Sequence, residues 1–292
     1  MFEGVFTALV TPFKNGKIDY DSLEKIIEHQ IKGGVDGVVP MGTTGESPTV
    51  SYEEHEEFII RVVKMVNKKI KIIAGTGSNS TDEAIYLSKA AQDAGVDGVL
   101  LVNPYYNKPP QRGLIAHFEQ IAKSISIPVV LYNIPGRTGI NFLPESVAEL
   151  IKRVPNIVAM KEASGDIAQM MNLIELCGDR ITLLSGDDNL LLPLLGIGGK
   201  GIISVLSNLL PADVKAVVTN FNTGNFEEAK KRFYKLLPLC RAMFYETNPI
   251  PIKAAMEMAG FCSSEVRLPL VPLSDDNRKK LKDALIAYGV KL

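Results

Sequence analysis

The chain has 292 residues, 46% of them apolar and 22% charged, with a formal net charge of −1 at pH 7. That is the balance of an ordinary globular chain, and it argues against a polyanion-binding surface; the one basic cluster, Lys68, Lys69 and Lys71, reads as a solvated loop before a strand. No apolar run is long enough for a membrane span, Met1-Phe2-Glu3-Gly4 lacks the marks of a signal peptide, and Cys177, Cys240 and Cys262 have no paired spacing, so a reducing cytoplasmic setting is expected.

In chain order, short apolar runs rich in β-branched residues fall at 5–10, 37–41, 70–74, 98–102, 128–133, 157–160, 181–184 and 201–205. Amphipathic stretches lie between them, and several carry start or stop signals. Residues 19–32 follow the turn-like Asn15-Gly16. Ser51 precedes Glu53 and Glu54, and Ser80 or Thr81 precedes Asp82 and Glu83, as N-caps before acidic first turns. Pro144-Glu145 opens another helix, and Gly33-Gly34 and Gly95 close two. Near-continuous apolar strands alternating with helices predict a parallel sheet covered on both faces. Eight such units favour an α/β fold of the closed (β/α)8 TIM-barrel type, with an open doubly wound sheet as the rival. After Gly224 the alternation stops. Residues 226–245, 251–260 and 274–287 read as helices with no strands between, so the expected division is a catalytic barrel at 1–224 and a C-terminal helical appendage at 225–292.

Chemistry on such a barrel sits where strands end and loops begin. Strand 2 runs into Gly42-Thr43-Thr44-Gly45-Glu46-Ser47, which offers N–H and O–H donors to a carboxylate or simply caps the next helix. Strand 4 runs into Asn103-Pro104-Tyr105-Tyr106-Asn107-Lys108-Pro109-Pro110, a stiff aromatic loop that taken alone reads as packing. Strand 5 ends at Tyr132, whose phenol could move protons if its pKa were lowered or a relay were present. Arg137 in the following Pro-Gly-Arg-Thr-Gly loop suits a carboxylate, or a surface ion pair. Strand 6 ends in Met160-Lys161-Glu162-Ala163. A lysine on an apolar strand should lose its proton easily, and a neutral amine attacks ketones; the alternative is a side chain reaching out to solvent. Asp187 and Asp188, after strand 7, suit a helix cap better than a metal. His29, His55 and His117 are scattered, so no metal site is expected. Gly196-Ile197-Gly198-Gly199-Lys200-Gly201 has the G-x-G-x-x-G spacing of a dinucleotide loop, but it closes a helix and opens a strand, so no nicotinamide cofactor is inferred.

Together, the segments at 42–47, 104–109, 132–139 and 161–163, with Glu246 to Lys253 and Arg267-Leu268-Pro269-Leu270, resemble the 4-hydroxy-tetrahydrodipicolinate synthases. These belong to the pyruvate-dependent aldolase superfamily that includes N-acetylneuraminate lyase. The resemblance implies that Lys161 forms an imine with pyruvate, and that its enamine attacks L-aspartate 4-semialdehyde on the route to diaminopimelate and lysine. It implies Tyr132 as proton donor and acceptor, with Thr43 and Tyr106 completing a relay and Tyr106 coming from a neighbouring subunit. Thr44, Gly186 and the backbone around Ile203 would hold pyruvate, and Arg137 the semialdehyde carboxylate. No cofactor beyond the covalent imine is implied. A homotetramer built as a dimer of dimers, or a dimer, is expected. Some relatives are inhibited by lysine through residues matching Ser47, Pro48, His55, Asn79, Glu83 and Tyr105. Pro48 and Tyr52 depart from one common version of that pattern. The runner-up is a sugar-acid lyase of the same superfamily, and the non-enzyme alternative a barrel that has lost its chemistry.

Overall fold

The structure, a computed structural model, describes residues 2–292. Eight parallel strands close into a barrel in sequential order: β1 (Gly4–Ala8), β2 (Gly37–Val39), β3 (Lys71–Gly75), β4 (Gly98–Val102), β5 (Val129–Asn133), β6 (Ile157–Glu162), β7 (Thr182–Ser185) and β8 (Gly201–Ser204). β8 returns to pair with β1, so the open-sheet rival is excluded. The connections carry α1 (Tyr20–Lys32), α2 (Tyr52–Val66), α3 (Thr81–Ala94), α4 (Gln111–Lys123), α5 (Pro144–Arg153), α6 (Ile167–Cys177) and α7 (Leu191–Gly196). α8 (Pro211–Asn222) follows β8.

Two predicted caps form: Ser51 makes a reciprocal capping box with Glu54, and Ser80 caps α3. Asp19, expected inside α1, caps it instead. One small element went unread: a two-residue antiparallel ribbon, Phe13–Lys14 with Lys17–Ile18, flanks the Asn15-Gly16 turn.

Side-chain alternation splits the core in two. One large cluster lies between strands and helices; the other fills the barrel with Phe2, Phe6, Val39, Ile73, Leu100, Val130, Ala159, Leu184 and Ile203. Phe2 and Phe6 meet edge to face with ring centroids 5.9 Å apart. A Cβ on Gly37 would lie 2.5 Å from the Phe6 ring and one on Gly98 2.8 Å from Phe2, so β2 and β4 begin with glycine. The barrel interior is thus packed at its N-terminal end, leaving the C-terminal end for polar groups.

Beyond α8 come α9 (Phe226–Ala242), α10 (Ile250–Met258) and α11 (Asp275–Tyr288). α9 packs along α8 and α11. α10 is different: every residue from Ile250 to Met256 is buried, as in a helix enclosed on all sides.

Candidate active site

A single irregularity aims Lys161 into the barrel. Val129 of β5 pairs with Ile157 of β6, but the next residue, Val130, pairs with Ala159, so Val158 is an extra residue on β6. Before this bulge odd-numbered residues of β6 face the helices; after it they face the interior. A one-residue slip inverts every later side chain of a strand. The bulge therefore sets Lys161 opposite Tyr132, both inside the barrel, and sends Glu162 and Asn133 outward as the next pair.

Lys161 is 6% exposed and has no hydrogen-bond or ion-pair partner among the described residues. Its Nζ lies 4.1 Å from the centre of the Tyr132 ring. Burial pushes the amine down to about 7; Asp188 pulls it back up and Arg137 pushes it further down. Gly186 gives this side chain its room: a Cβ there would lie 3.0 Å from Lys161 Cε and 2.7 Å from Ala163 Cβ. Ile203 is fully buried in the same interior cluster.

Tyr132 is 5% exposed, and burial pushes its phenol up to about 12, against the opposing influence of Arg137 and a hydrogen bond with Thr43. This shift runs opposite to the lowered-pKa option raised by the sequence, and Thr43 is the phenol's hydrogen-bond partner. Thr43 and Thr44 lie in a single 3-10 turn, Thr43–Gly45, immediately after which Glu46 takes a left-handed φ of 57°. Thr44 is buried, and its Oγ1 accepts from Asn248 Nδ2 at 3.0 Å. Among the described residues Arg137 makes no ion pair; its Nη2 donates to the Asn248 main-chain oxygen at 3.0 Å. Asn248 thus touches two predicted substrate-binding residues, and it was missed as a functional position. Its signal was faint: an asparagine before a proline, far along the chain from either partner.

Behind the interior face, a polar network ties the strand ends together. Glu162 accepts from Asn133 Nδ2 at 3.0 Å, from Ser164 N at 2.6 Å and from Gln169 Nε2 at 3.2 Å. Asn103 Nδ2 donates to Asn133 Oδ1 at 2.7 Å, adding the end of β4. Burial still raises the Glu162 carboxyl above its usual range. Of the two acids after β7, Asp187 caps the turn as expected, accepting from Asn189 N at 3.0 Å. Asp188 does not. It crosses to β8, accepting from Ser204 Oγ at 2.5 Å and Val205 N at 2.9 Å.

Tyr106 stands apart from this cluster within the chain, with its side chain 90% exposed and φ at 71°. Of the residues matched to an inhibitor site, Ser47, Pro48, His55, Glu83 and Tyr105 line one cavity of about 630 Å³, which Thr43 and Arg137 also line. Asn79 is absent from its lining but donates to the Tyr105 main-chain oxygen at 3.1 Å. Burial lowers the His55 imidazole below its usual range, and its Nε2 lies 2.8 Å from Gly75 O. Among the described residues no group of three or more His, Cys, Asp or Glu side chains converges as a metal site would, and no helix is long and apolar enough to cross a membrane.

This arrangement places a desolvated, unpaired amine beside a neutral phenol, a hydroxyl pair and a guanidinium, which suits addition to a carbonyl next to a carboxylate. Residues 1–288 match the Dihydrodipicolinate synthetase family. A 4-hydroxy-tetrahydrodipicolinate synthase of Endomicrobium trichonymphae is 55% identical over 290 residues, 99% of each chain. The dihydrodipicolinate synthase of Aquifex aeolicus superposes with a TM-score of 0.98 at 43% identity, over 100% of this chain and 99% of that one. The chloride-inhibited dihydrodipicolinate synthase of Acinetobacter baumannii, solved with pyruvate, superposes at 0.97 and 42% identity over 99% and 100%. With match and fold both running the length of the barrel and through its C-terminal helices, the chain belongs to the dihydrodipicolinate synthetase family.

Proposed function

We propose that the protein condenses pyruvate with L-aspartate 4-semialdehyde to give 4-hydroxy-tetrahydrodipicolinate. The observation that carries this reading is Lys161, a buried amine with no acid in contact with it among the described residues. Nζ adds to the keto carbon of pyruvate, and water leaves to form the imine. Loss of a C3 proton gives the enamine, whose carbon attacks the aldehyde. The amino group of the second substrate then displaces Lys161 from the imine carbon and closes the ring. Each step moves a proton, and the Tyr132 O–H with Thr43 beside it handles them in a site sheltered from water. Thr44, Gly186 and the backbone at Ile203 hold the pyruvate carboxylate end; Arg137 takes the carboxylate of the semialdehyde. The only group carried through the cycle is the imine itself, with no separate cofactor.

Tyr106, exposed on its own chain, enters the site of a neighbour in a homotetramer or dimer. In this reading 1–224 is the catalytic barrel, and the helical part at 225–292 supports it, in a cytoplasmic enzyme. The cavity lined by His55, Glu83 and Tyr105 takes the product-pathway amino acid L-lysine as inhibitor. An activity curve left flat by L-lysine removes that last assignment.

The test is borohydride reduction in the presence of pyruvate, followed by intact-mass measurement. One reduced pyruvate adduct per chain is expected, and none on Lys161→Ala. An unmodified wild type, or an adduct that survives the substitution, overturns the mechanism. Coupled turnover with the semialdehyde against sugar-acid aldehydes separates this reading from the runner-up. Mixed oligomers of Tyr106→Phe and Lys161→Ala chains recover activity if Tyr106 acts across an interface, and stay inactive if it does not.

A further inference from the structure

We infer that Asn248 is a positioning residue that sets the direction in which the Thr44 hydroxyl gives its proton. The inference rests on the proposed docking of the pyruvate carboxylate at Thr44.

A threonine hydroxyl has one proton and two lone pairs, and which way it points depends on its neighbours. Here Asn248 Nδ2 donates to Thr44 Oγ1 at 3.0 Å. An oxygen engaged as acceptor keeps its own proton for another partner, so the Thr44 O–H is free to point at an anion. The side chain of Asn248 has no competing tie, because its Oδ1 is buried with no hydrogen-bond partner among the described residues. The residue itself is 5% exposed, so water does not scramble the arrangement. The same residue accepts from Arg137 Nη2 through its main-chain oxygen at 3.0 Å. One residue from the C-terminal region therefore orients the donors intended for both substrates.

Asn248 can do this because its segment is anchored twice to the loop after β2. Five residues on, Lys253 Nζ donates to Glu46 Oε1 at 2.7 Å, both side chains being essentially inaccessible. Glu46 is two residues past Thr44. Its second oxygen accepts from Arg267 N at 3.0 Å, which fixes the same loop from another point of the C-terminal chain. The Thr43–Gly45 turn is thus clamped by residues more than 200 positions away in sequence.

Asn248→Asp reverses the polarity. A carboxylate accepts from Thr44, takes its proton away from the substrate and adds a negative charge beside the pyruvate carboxylate. Asn248→Ala merely deletes the donor. A packing role predicts that the isosteric aspartate is the milder change; a polarity role predicts the opposite.

The experiment measures the pyruvate concentration giving half-maximal borohydride-trapped adduct in the wild type and in both variants. The expected result is a rise of about tenfold or more for Asn248→Asp and a smaller rise for Asn248→Ala, with the limiting trapping rate little changed. Equal effects, a milder aspartate, or no rise overturn the inference. Should the aspartate variant fail to fold, a cycle with Thr44→Val decides. Asn248→Ala is expected to add nothing further on that background, and a full additional rise overturns the inference. A wild type that forms no pyruvate adduct overturns the proposed function and this inference with it; a wild type trapped normally beside unaffected variants overturns this inference alone.

Discussion

Lys161 and Lys253 are both buried, at 6% and 0% exposure, and each sits near an aromatic ring. Their surroundings differ in one respect. Lys253 donates to Glu46 at 2.7 Å, with Phe13 beneath it, so its charge is answered by another. Burial lowers its pKa while Glu46 opposes the drop. Lys161 has no such acid in contact. Asp188 acts on it only through its charge, accepting no hydrogen bond from it, because its oxygens accept from Ser204, Val205 and Leu206. Burial alone does not make a lysine a nucleophile. Burial without a paired carboxylate does, because only then does the amine spend its time neutral.

The comparison breaks most visibly at the ring beside each amine. Lys161 has the Tyr132 phenol beside it, whereas Lys253 has a phenylalanine, Phe13. Tyr132→Phe keeps the ring and removes only the O–H. Turnover should fall by about 10²–10⁴-fold in kcat, as for loss of a general acid–base group. An unchanged kcat would mean that Tyr132 serves only as packing.

The next effect is on stability, and the two lysines should give opposite signs. Lys253→Met leaves Glu46 as an unpaired buried charge, and chemical denaturation should show a loss of about 3–5 kcal/mol. Lys161→Met removes an amine that pays no structural return. Its folded pKa of about 7 lies below the ordinary 10.5, so between those values the folded chain binds fewer protons than the unfolded one. The penalty is full below pH 7 and fades as pH rises towards 10.5. Lys161→Met should therefore stabilise by about 1–2 kcal/mol near pH 7 and by less at pH 10. Two substitutions that destabilise alike would show that both lysines are structural.

These two environments were unequally legible in the sequence. Apolar runs bounded by turn residues gave seven strands to within about two residues and β4 at its observed bounds, because each run had to be buried on both faces. Lys161 stood out because it ends such a run. What periodicity could not supply was its direction: that depends on the Val158 bulge, and a bulge leaves no mark on composition. Lys253 and Asn248 lie in a segment that carries the resemblance, but their contacts were not legible, for a different reason. Their partners, Glu46 and Thr44, lie 207 and 204 residues away, and no local pattern encodes a contact that only chain closure creates. Asp188 was read as a cap because adjacent acids before a helix usually are; Asp187 took that place and left Asp188 to brace β8.

The smallest expected effect probes what sets the basicity of Lys161. Adduct formation at saturating pyruvate requires the neutral amine, so its rate should rise with pH through a midpoint near 7. Tyr132 stays protonated until about 12 and adds no falling limb between pH 6 and 9. Two charged neighbours act on Lys161 in opposite senses. Arg137 lowers its pKa, so Arg137→Met should move the midpoint up; Asp188 raises it, so Asp188→Asn should move it down. Asparagine keeps an acceptor for Ser204 while removing the charge, so a downward shift reports electrostatics and not a collapsed β8 loop. If both substitutions leave the midpoint in place, burial alone sets the basicity of Lys161, and its contrast with Lys253 reduces to the absence of Glu46.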